Sequence, residues 1–586
     1  MPPEALDDFT PSARNNVPLS GFSARIDDLR AAGSGQRAAG SGQRAVLVAV
    51  RSAGALHRLL DVLPVFDGDE RIAVRFTLVP GSAFDVGALA ALELSGARTL
   101  TWDEAHGREH DLILTASPKG PLRALSGPRV VLPHGAGFNK AVSGDGSPQL
   151  PSGLDPHYLL AQGEPWADLH ALAHGDQLAR LTEYCPPAAA QATVVGDPTL
   201  DRLLGSLAHR ESYRSALGTG RRRLIALTST WGPESLLAQR PELPGELIGL
   251  LPHDAYQIAL ILHPNEYSRT GSFDLSRQLS PALAAGLVLA GPYEEWAALL
   301  VAADAVVTDH GSTALYAAAL GLAIIGAYDG GSELIPGSPM AELLARAPRL
   351  SEATELPGAL LAAATHDAGG LASAAFAHQG QALPRLRREL YRLLGLRPPS
   401  IPVAPHPLPR PVVVPPRPAA FSVRADVSGN QITISRFPPS TSEAVHHLAA
   451  EHPGADQRHL QSASVLWCRA RSVSPAPHTS AWTAAGWTSR ALDDAPGCRT
   501  AAAILTPERC LIRHRSAGLL SVRIEPCRAS GRVLRCDPAA VVSAVHSWLG
   551  ANERWTPPVS LVCDTGPFSV RIRLGPADEA DLGYEL

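Results

Sequence analysis

Several short segments of this chain combine residues able to bind or move charge with the Gly, Pro and Ser that place such residues at turns. Residues 130–140 read VVLPHGAGFNK: an apolar strand runs into Pro133, His134 follows on a Gly-rich turn, and Lys140 closes the segment. A His at a strand end can act as general base toward a hydroxyl, and a nearby Lys can neutralise phosphate. The plainer reading is a solvated or hydrogen-bonded turn histidine. Residues 261–267, ILHPNEY, end a buried strand in His263-Pro264-Asn265. The proline stops the strand and aims the imidazole out of the sheet edge, toward a diphosphate or a proton transfer. A histidine that only caps the strand end is the equal alternative.

The most informative stretch is 302–328, AADAVVTDHGSTALYAAALGLAIIGAY. It reads as a buried strand, a turn made of Asp309, His310, Gly311, Ser312 and Thr313, an Ala/Leu helix and a second apolar strand. A strand feeding a small-residue turn into a helix leaves backbone N–H groups free at the helix N-terminus, where phosphate is favoured. Asp309, His310 and Ser312 do not make a nucleophilic triad, because neighbours on one tight turn rarely face each other and no G-x-S-x-G elbow is present. Just upstream, Glu294 and Glu295 open a helix in 291–304; carboxylates suit that end of the macrodipole, and one of them can reach a ribose. In 194–203, VVGDPTLDRL, the Gly196-Asp197-Pro198 turn caps a helix and reads as a structural crossover.

These segments need a parallel sheet to present them. From Ala45 onward, apolar strands at 45–50, 72–79, 111–115 and 130–132 alternate with helix-length spacers. A second series follows at 224–228, 257–262, 287–290, 305–308 and 323–327. Alternation of this kind predicts two Rossmann-like α/β units, 45–205 and 206–397, facing across a cleft, with ligands at the carboxyl ends of the strands. Residues 1–44 are small and polar and contain a tandem AAGSGQ repeat, which predicts a flexible tail. Residues 398–418 carry proline too densely for helix or strand and predict an extended spacer. Beyond it, 419–586 reads as a smaller α+β domain of unassigned role. It opens on a hairpin over 421–437, with further strands at 510–515, 519–524, 560–563 and 569–574 and a helix over 538–549. Arg513, Arg515, Arg523, Arg571 and Arg573 on its strands read as a solvated face before an anion-binding one.

Composition narrows the classes. The chain has 586 residues, 45% of them hydrophobic, which suits more than one core. The net charge of −5 gives no general reason to bind nucleic acid. Only Lys119 and Lys140 represent lysine, with Arg in its place elsewhere. No run of apolar residues is long enough to span a membrane and no signal peptide is evident. Six of the seven cysteines lie beyond residue 460 without a C-x-x-C pair, which favours reduced thiols and a cytoplasmic location over a zinc site.

The order of the motifs carries a resemblance. A His-Gly turn, then V-x-G-x-P-x-L-D at 194–201, H-P at 263–264, A-D-x-V-V-T-D-x-x-S at 303–312 and L-G-x-x-I-I at 320–325 resemble the GT-B glycosyltransferase arrangement. Over 45–395 the chain is most similar to the CDP-glycerol glycerophosphotransferases of teichoic acid synthesis. The non-hydrolysing UDP-N-acetylglucosamine 2-epimerases share the fold. The resemblance implies catalytic or phosphate-contact roles for His134 and His263 and a nucleotide contact for Ser312, with Thr313 beside it; the residues read by themselves add Lys140, Asp309, Gly311 and Glu294 as candidate phosphate or nucleotide contacts. It implies a bacterial cell-envelope transferase in which a hydroxyl acceptor attacks a nucleotide-activated donor, with no metal and no cofactor required. Peripheral contact with a membrane surface is left open. The turn departs from the family pattern at His310-Gly311, and the following helix, LYAAAL, lacks the family's early acidic residue. Two other readings stand beside the transferase: a sugar-nucleotide epimerase or hydrolase, and a non-catalytic binding or scaffold protein.

Overall fold

The structure, a computed structural model, describes residues 43–142, 150–413, 417–439, 445–470, 481–529 and 531–586. The polar N-terminal tail expected over 1–44 lies almost entirely outside the described residues. Two parallel sheets form the first two units. The first has seven strands, and their order places Arg44–Val50 between Ile72–Leu78 and Leu112–Thr115. Arg129–Val131, Leu169–Leu172 and Ala192–Val194 continue the sheet on the Leu112–Thr115 side. The second has five strands, with Arg223–Ser229 flanked by Tyr256–Leu262 and Ala305–Thr308, and with Val288–Leu289 and Ala323–Gly326 at the edges. Strands such as Ala305–Thr308 are buried along their whole length because helices cover both faces, so they read as continuous apolar runs. This is a GT-B-like arrangement of two Rossmann-like units.

The chain does not leave the first unit for good at the crossover. The helix Ala382–Leu393 lies beyond the second sheet in sequence. Its Leu383, Leu386, Leu390 and Tyr391 nevertheless enter the apolar core that covers one face of the first sheet. The proline-rich segment that follows is pinned along the surface. Leu408 is buried, its carbonyl accepts from the Tyr213 hydroxyl and its N–H donates to Ser206 Oγ.

The last unit is a closed barrel of nine strands, mixed parallel and antiparallel, from Ala420–Ser428 to Phe568–Pro576. The helix Pro538–Ala551 is buried from Pro538 to Leu549, and its Val541, Val545 and Trp548 share the core of the barrel strands. Arg523, Arg571 and Arg573 of the strand faces have acidic partners, while Arg513 and Arg515 donate to main-chain carbonyls. Arg523 bonds to Asp578 and Asp581, and Arg571 and Arg573 reach Glu525. The barrel meets the second parallel unit through Arg436, which holds Asp254 at 2.6 Å and Asp537 at 2.9 Å. No helix among the described residues is long and apolar enough to cross a membrane.

Burial of histidines predicts a fold that loses stability in acid. His170, 4% exposed on a first-sheet strand, is pushed down to about 4 by desolvation. The unfolded chain protonates the same ring near pH 6.5, so it binds more protons between those values. The stability tied to a neutral His170 is therefore complete above about pH 6.5 and is lost as pH falls toward 4. We expect Tm to drop between about pH 7 and about pH 5, and His170→Leu to make that drop smaller. An unchanged slope in the variant would remove His170 from the cause.

Candidate functional site

A cleft of about 620 Å³ lies between the two parallel-sheet units, and the carboxyl ends of strands from both sheets line it. Arg44–Val50 delivers Arg51 and Ser52, and Arg129–Val131 delivers His134. Arg223–Ser229 delivers Thr230 and Trp231, Tyr256–Leu262 delivers His263, and Ala305–Thr308 delivers the 309–313 turn. This is where an open parallel sheet exposes free loops and helix N-termini.

His134 and His263 come from opposite units, and their ring centroids are 6.4 Å apart. His263 is the N-cap of the helix Pro264–Thr270, and its Nδ1 accepts from the Asn265 N–H at 3.1 Å. That bond fixes the tautomer: the proton of the neutral ring sits on Nε2, which makes that nitrogen a donor. Desolvation first, then His134 and Lys140, pushes its pKa down to about 3, so the ring is neutral. His134 is also lowered, by desolvation and by the charges of Lys119 and Arg58, against a hydrogen bond to the Ala116 backbone that works the other way. Its ring is exposed to the cleft, and water there tempers the desolvation by the surrounding walls. With one nitrogen donating to the Ala116 carbonyl, the other keeps a lone pair. The two histidines therefore offer opposite functions, an acceptor and a donor.

The 134–141 segment is anchored to the second unit. The Ile335 N–H donates to the Asn139 carbonyl, the Ala141 N–H donates to the Glu333 carbonyl, and Lys140 Nζ lies 2.6 Å from Glu333 Oε2. Lys140 also sits 5.0 Å above the Trp231 ring. Its charge is thus shared with Glu333, which also takes His310 Nε2 at 3.1 Å. Gly330 makes room for that histidine: φ is +82°, and a Cβ there would come within 2.2 Å of His310 Cγ.

The 309–313 turn is shaped from within. The buried Asp309 carboxylate accepts from the N–H groups of Thr230 and Leu236 at 2.8 Å each and of Gly311 at 2.9 Å. Its oxygens are spent on the turn, so Asp309 holds the loop rather than presenting charge to the cleft. Gly311 packs with its α-carbon toward Asp309 and Thr230. Ser312 precedes the helix Thr313–Ala319 without capping it through its side chain. A Cβ added to Gly135 would meet Ser312 Oγ at 3.0 Å, so that hydroxyl lies directly against the His134 turn. We expect Asp309→Ala to cost stability and to disorder the turn, because the buried N–H groups of Thr230 and Leu236 lose their acceptor at about 1–3 kcal/mol each, and the half-buried N–H of Gly311 loses its own. A denaturation midpoint unchanged from the parent would contradict this.

Glu294 lies at the far wall. It accepts from Arg202 at 2.9 Å and stands 3.8 Å from His57 Nδ1. Burial works to raise its carboxyl, but His57 and Arg202 outweigh that and bring it down to about 2. Arg202 in turn holds Asp61 at 2.8 Å. Beneath this wall, Arg58 grips Asp197 with two bonds of 2.7 and 2.6 Å and reaches the Tyr316 hydroxyl at 2.9 Å. Asp197 also accepts from Tyr316 at 3.0 Å and from the Leu200 N–H.

Motif reading did not find Trp231, Glu333, His57, Arg58 or Tyr316. Trp231 carried a signal, since it stands just past a strand in Thr230-Trp231-Gly232. Phe84 meets its ring edge-on at 5.3 Å and His263 lies 6.4 Å away. The others are recognisable only from partners distant in sequence.

No known family's sequence profile matches the chain, and no curated protein matches it in sequence. Solved structures do resemble it in fold. The wall teichoic acid polymerase TagF shares 13% identity over 60% of this chain and 89% of its own, with a TM-score of 0.43. The Methanocaldococcus jannaschii UDP-GlcNAc 2-epimerase, solved with UDP-GlcNAc and UDP, shares 14% over 60% of this chain and 99% of its own, with a TM-score of 0.40. S. aureus MnaA with UDP shares 11% over 61% and 98%, with a TM-score of 0.39. Each is a distant likeness of fold alone, and no activity passes from it to this chain.

Proposed function

We propose that the cleft binds a nucleotide-activated donor and transfers its glycosyl or glycerophosphoryl-type group to a hydroxyl acceptor. The observation that carries this reading is the pair of imidazoles from opposite units, one with a free lone pair and one with a fixed N–H. His134 takes the proton of the acceptor hydroxyl as that oxygen attacks the activated centre. His263 Nε2–H donates to an oxygen of the departing nucleotide phosphate, and Ser312, whose hydroxyl packs against the His134 turn, lines the same cleft. Trp231 and Tyr293 supply apolar walls that exclude water and hold a base or sugar. A sugar-nucleotide epimerase or hydrolase would use the same cleft without a second hydroxyl substrate. A scaffold would bind the nucleotide and turn nothing over.

The first test is thermal stabilisation of the full chain by CMP, CDP-glycerol, UDP, UDP-N-acetylglucosamine and GDP. A ligand at a hundred times its Kd adds about 2.7 kcal/mol of stability. We expect one base to be selected, and the shift to be lost in Ser312→Ala and reduced in His263→Ala. No shift with any of the five would remove the activated-donor mechanism.

A further inference from the structure

A second group of chemistry-bearing side chains lies in the barrel, among residues that do not line the cleft. His446 and His447 adjoin at the start of the strand His447–Glu451, and His546 comes from the buried helix Pro538–Ala551. One nitrogen from each ring lies within 4.8 Å of the others. The His447 and His546 rings are 4.7 Å apart, and His446 Nδ1 is 2.9 Å from His447 Nδ1. His447 and His546 are 5% and 6% exposed, while His446 is open to solvent.

An accounting of hydrogen bonds shows what this group lacks. His546 Nδ1 is 2.8 Å from Thr500 Oγ1, which sets the orientation of the ring. The fourth nearby histidine, His514, has its ring 6.1 Å from His546 and its Nδ1 engaged by Ser516. His447 Nε2 is buried with no hydrogen-bond partner among the described residues. If the close pair shares one hydrogen, His447 Nε2 is left as a buried donor or a buried lone pair, and either is costly. Neutral imidazole is the form that ligates a metal.

We propose that His446, His447 and His546 bind one Zn²⁺ ion, with a fourth position open on the solvent side of His446. Three imidazole nitrogens without a thiolate or a carboxylate suit zinc, and three protein ligands plus water complete a tetrahedral site. Zn–N bonds of about 2.0–2.1 Å require the nitrogens to approach to roughly 3.3 Å. His446, exposed at the entry to its strand, is the ligand with freedom to close that gap. Thr500 is the outer partner that orients His546, a role commonly filled by an acceptor on the second ring nitrogen. The cysteine spacing gave no hint of this site, because its ligands are histidines from two separate elements. It stands independently of the activity of the cleft.

The test is equilibrium dialysis of the chelator-stripped full chain against Zn²⁺, with metal content read by atomic emission. Co²⁺ serves as a visible probe of coordination number. We expect one equivalent bound, a tetrahedral Co²⁺ spectrum, and loss of both in His446→Ala, whose metal-free fold is checked by circular dichroism because losing the contact to His447 Nδ1 lowers its Tm somewhat. Thr500→Val should weaken binding about 10–100-fold. No zinc retained by the parent overturns the proposal. So does an equivalent retained undiminished by His446→Ala, since that would place the ion elsewhere. If His546→Gln does not fold, His446→Ala alone decides.

Discussion

Replacing His134 by Gln is expected to lower kcat by about 10²–10⁴-fold, the usual worth of a positioned general base. The substitution keeps a side chain able to donate to the Ala116 carbonyl and removes the lone pair that takes the proton. Donor affinity should change little, so kcat falls while KM stays near the parent value. That split separates a base from a residue that merely shapes the cleft. The measurement is steady-state release of nucleotide from the donor selected by thermal stabilisation. Equal losses of affinity and turnover would make His134 a binding residue, and full activity in the variant would remove it from the mechanism.

The pH profile follows from the same geometry. As the proposed base, His134 must be unprotonated to act, and its pKa is held below the ordinary imidazole value. The parent therefore keeps full kcat/KM down to and below about pH 6.5 and loses it on the acid side as His134 takes a proton. A bound diphosphate brings negative charge beside the ring and favours the imidazolium. The acid limb of kcat, which reports the loaded enzyme, should thus lie at higher pH than that of kcat/KM. In His134→Gln the limb should vanish from both. A limb that persists would belong to another group.

The strands that deliver these residues were legible for a simple reason. Ala305–Thr308 is a short, wholly buried run of Ala, Val and Thr closed by Asp309 and Gly311, and Tyr256–Leu262 is closed by His263-Pro264. Burial on both faces demands such runs, and Pro or Gly marks where they stop. Leu169–Leu172, LHAL, carries a histidine in its middle and has no Pro or Gly directly at its end, so nothing marks it as a buried run. The barrel was legible only in part. Its hairpins alternate clearly, whereas Thr500–Thr506, TAAAILT, is Ala-rich and buried along six of its seven positions, so nothing in it distinguishes strand from helix. Closure itself depends on pairings such as Gln431 with Val562, which local periodicity does not contain.

Within the site, chemistry at strand ends could be read and pairing could not. His134 and His263 announce themselves by the proline beside each. Lys140 reads equally well as a phosphate ligand, yet its charge is shared with Glu333, a residue with no motif of its own. Asp309 looks like a ligand group and instead binds three backbone N–H groups of its own fold. The clearest case is Arg58, whose partners Asp197 and Tyr316 lie 139 and 258 residues away. A helix of the first sheet, the crossover turn and the helix Thr313–Ala319 meet there, and only the folded chain shows that they do.

That junction yields a further large expected loss of stability. The side chains of Arg58 and Asp197 are 5% and 0% exposed, so neither charge has water to fall back on. Burying such a pair is not in itself a large gain, because desolvation consumes most of the attraction. Breaking it is another matter. Arg58→Met leaves the Asp197 carboxylate buried with only the Tyr316 hydroxyl and the Leu200 N–H, and should cost about 3–5 kcal/mol. Adding Asp197→Asn to Arg58→Met removes the stranded charge while keeping an oxygen for the Leu200 N–H. The double variant is therefore expected to be more stable than Arg58→Met alone, a sign that no sum of lost contacts would give. Denaturation midpoints of the parent, both single variants and the double variant measure the coupling. Tyr316 sits one turn from Ser312 on the same short helix, so Arg58→Met should also weaken the nucleotide-induced thermal shift, and the second substitution should restore part of it. If the two single losses simply add, the junction is three independent contacts and the helix behind Ser312 is held by packing alone.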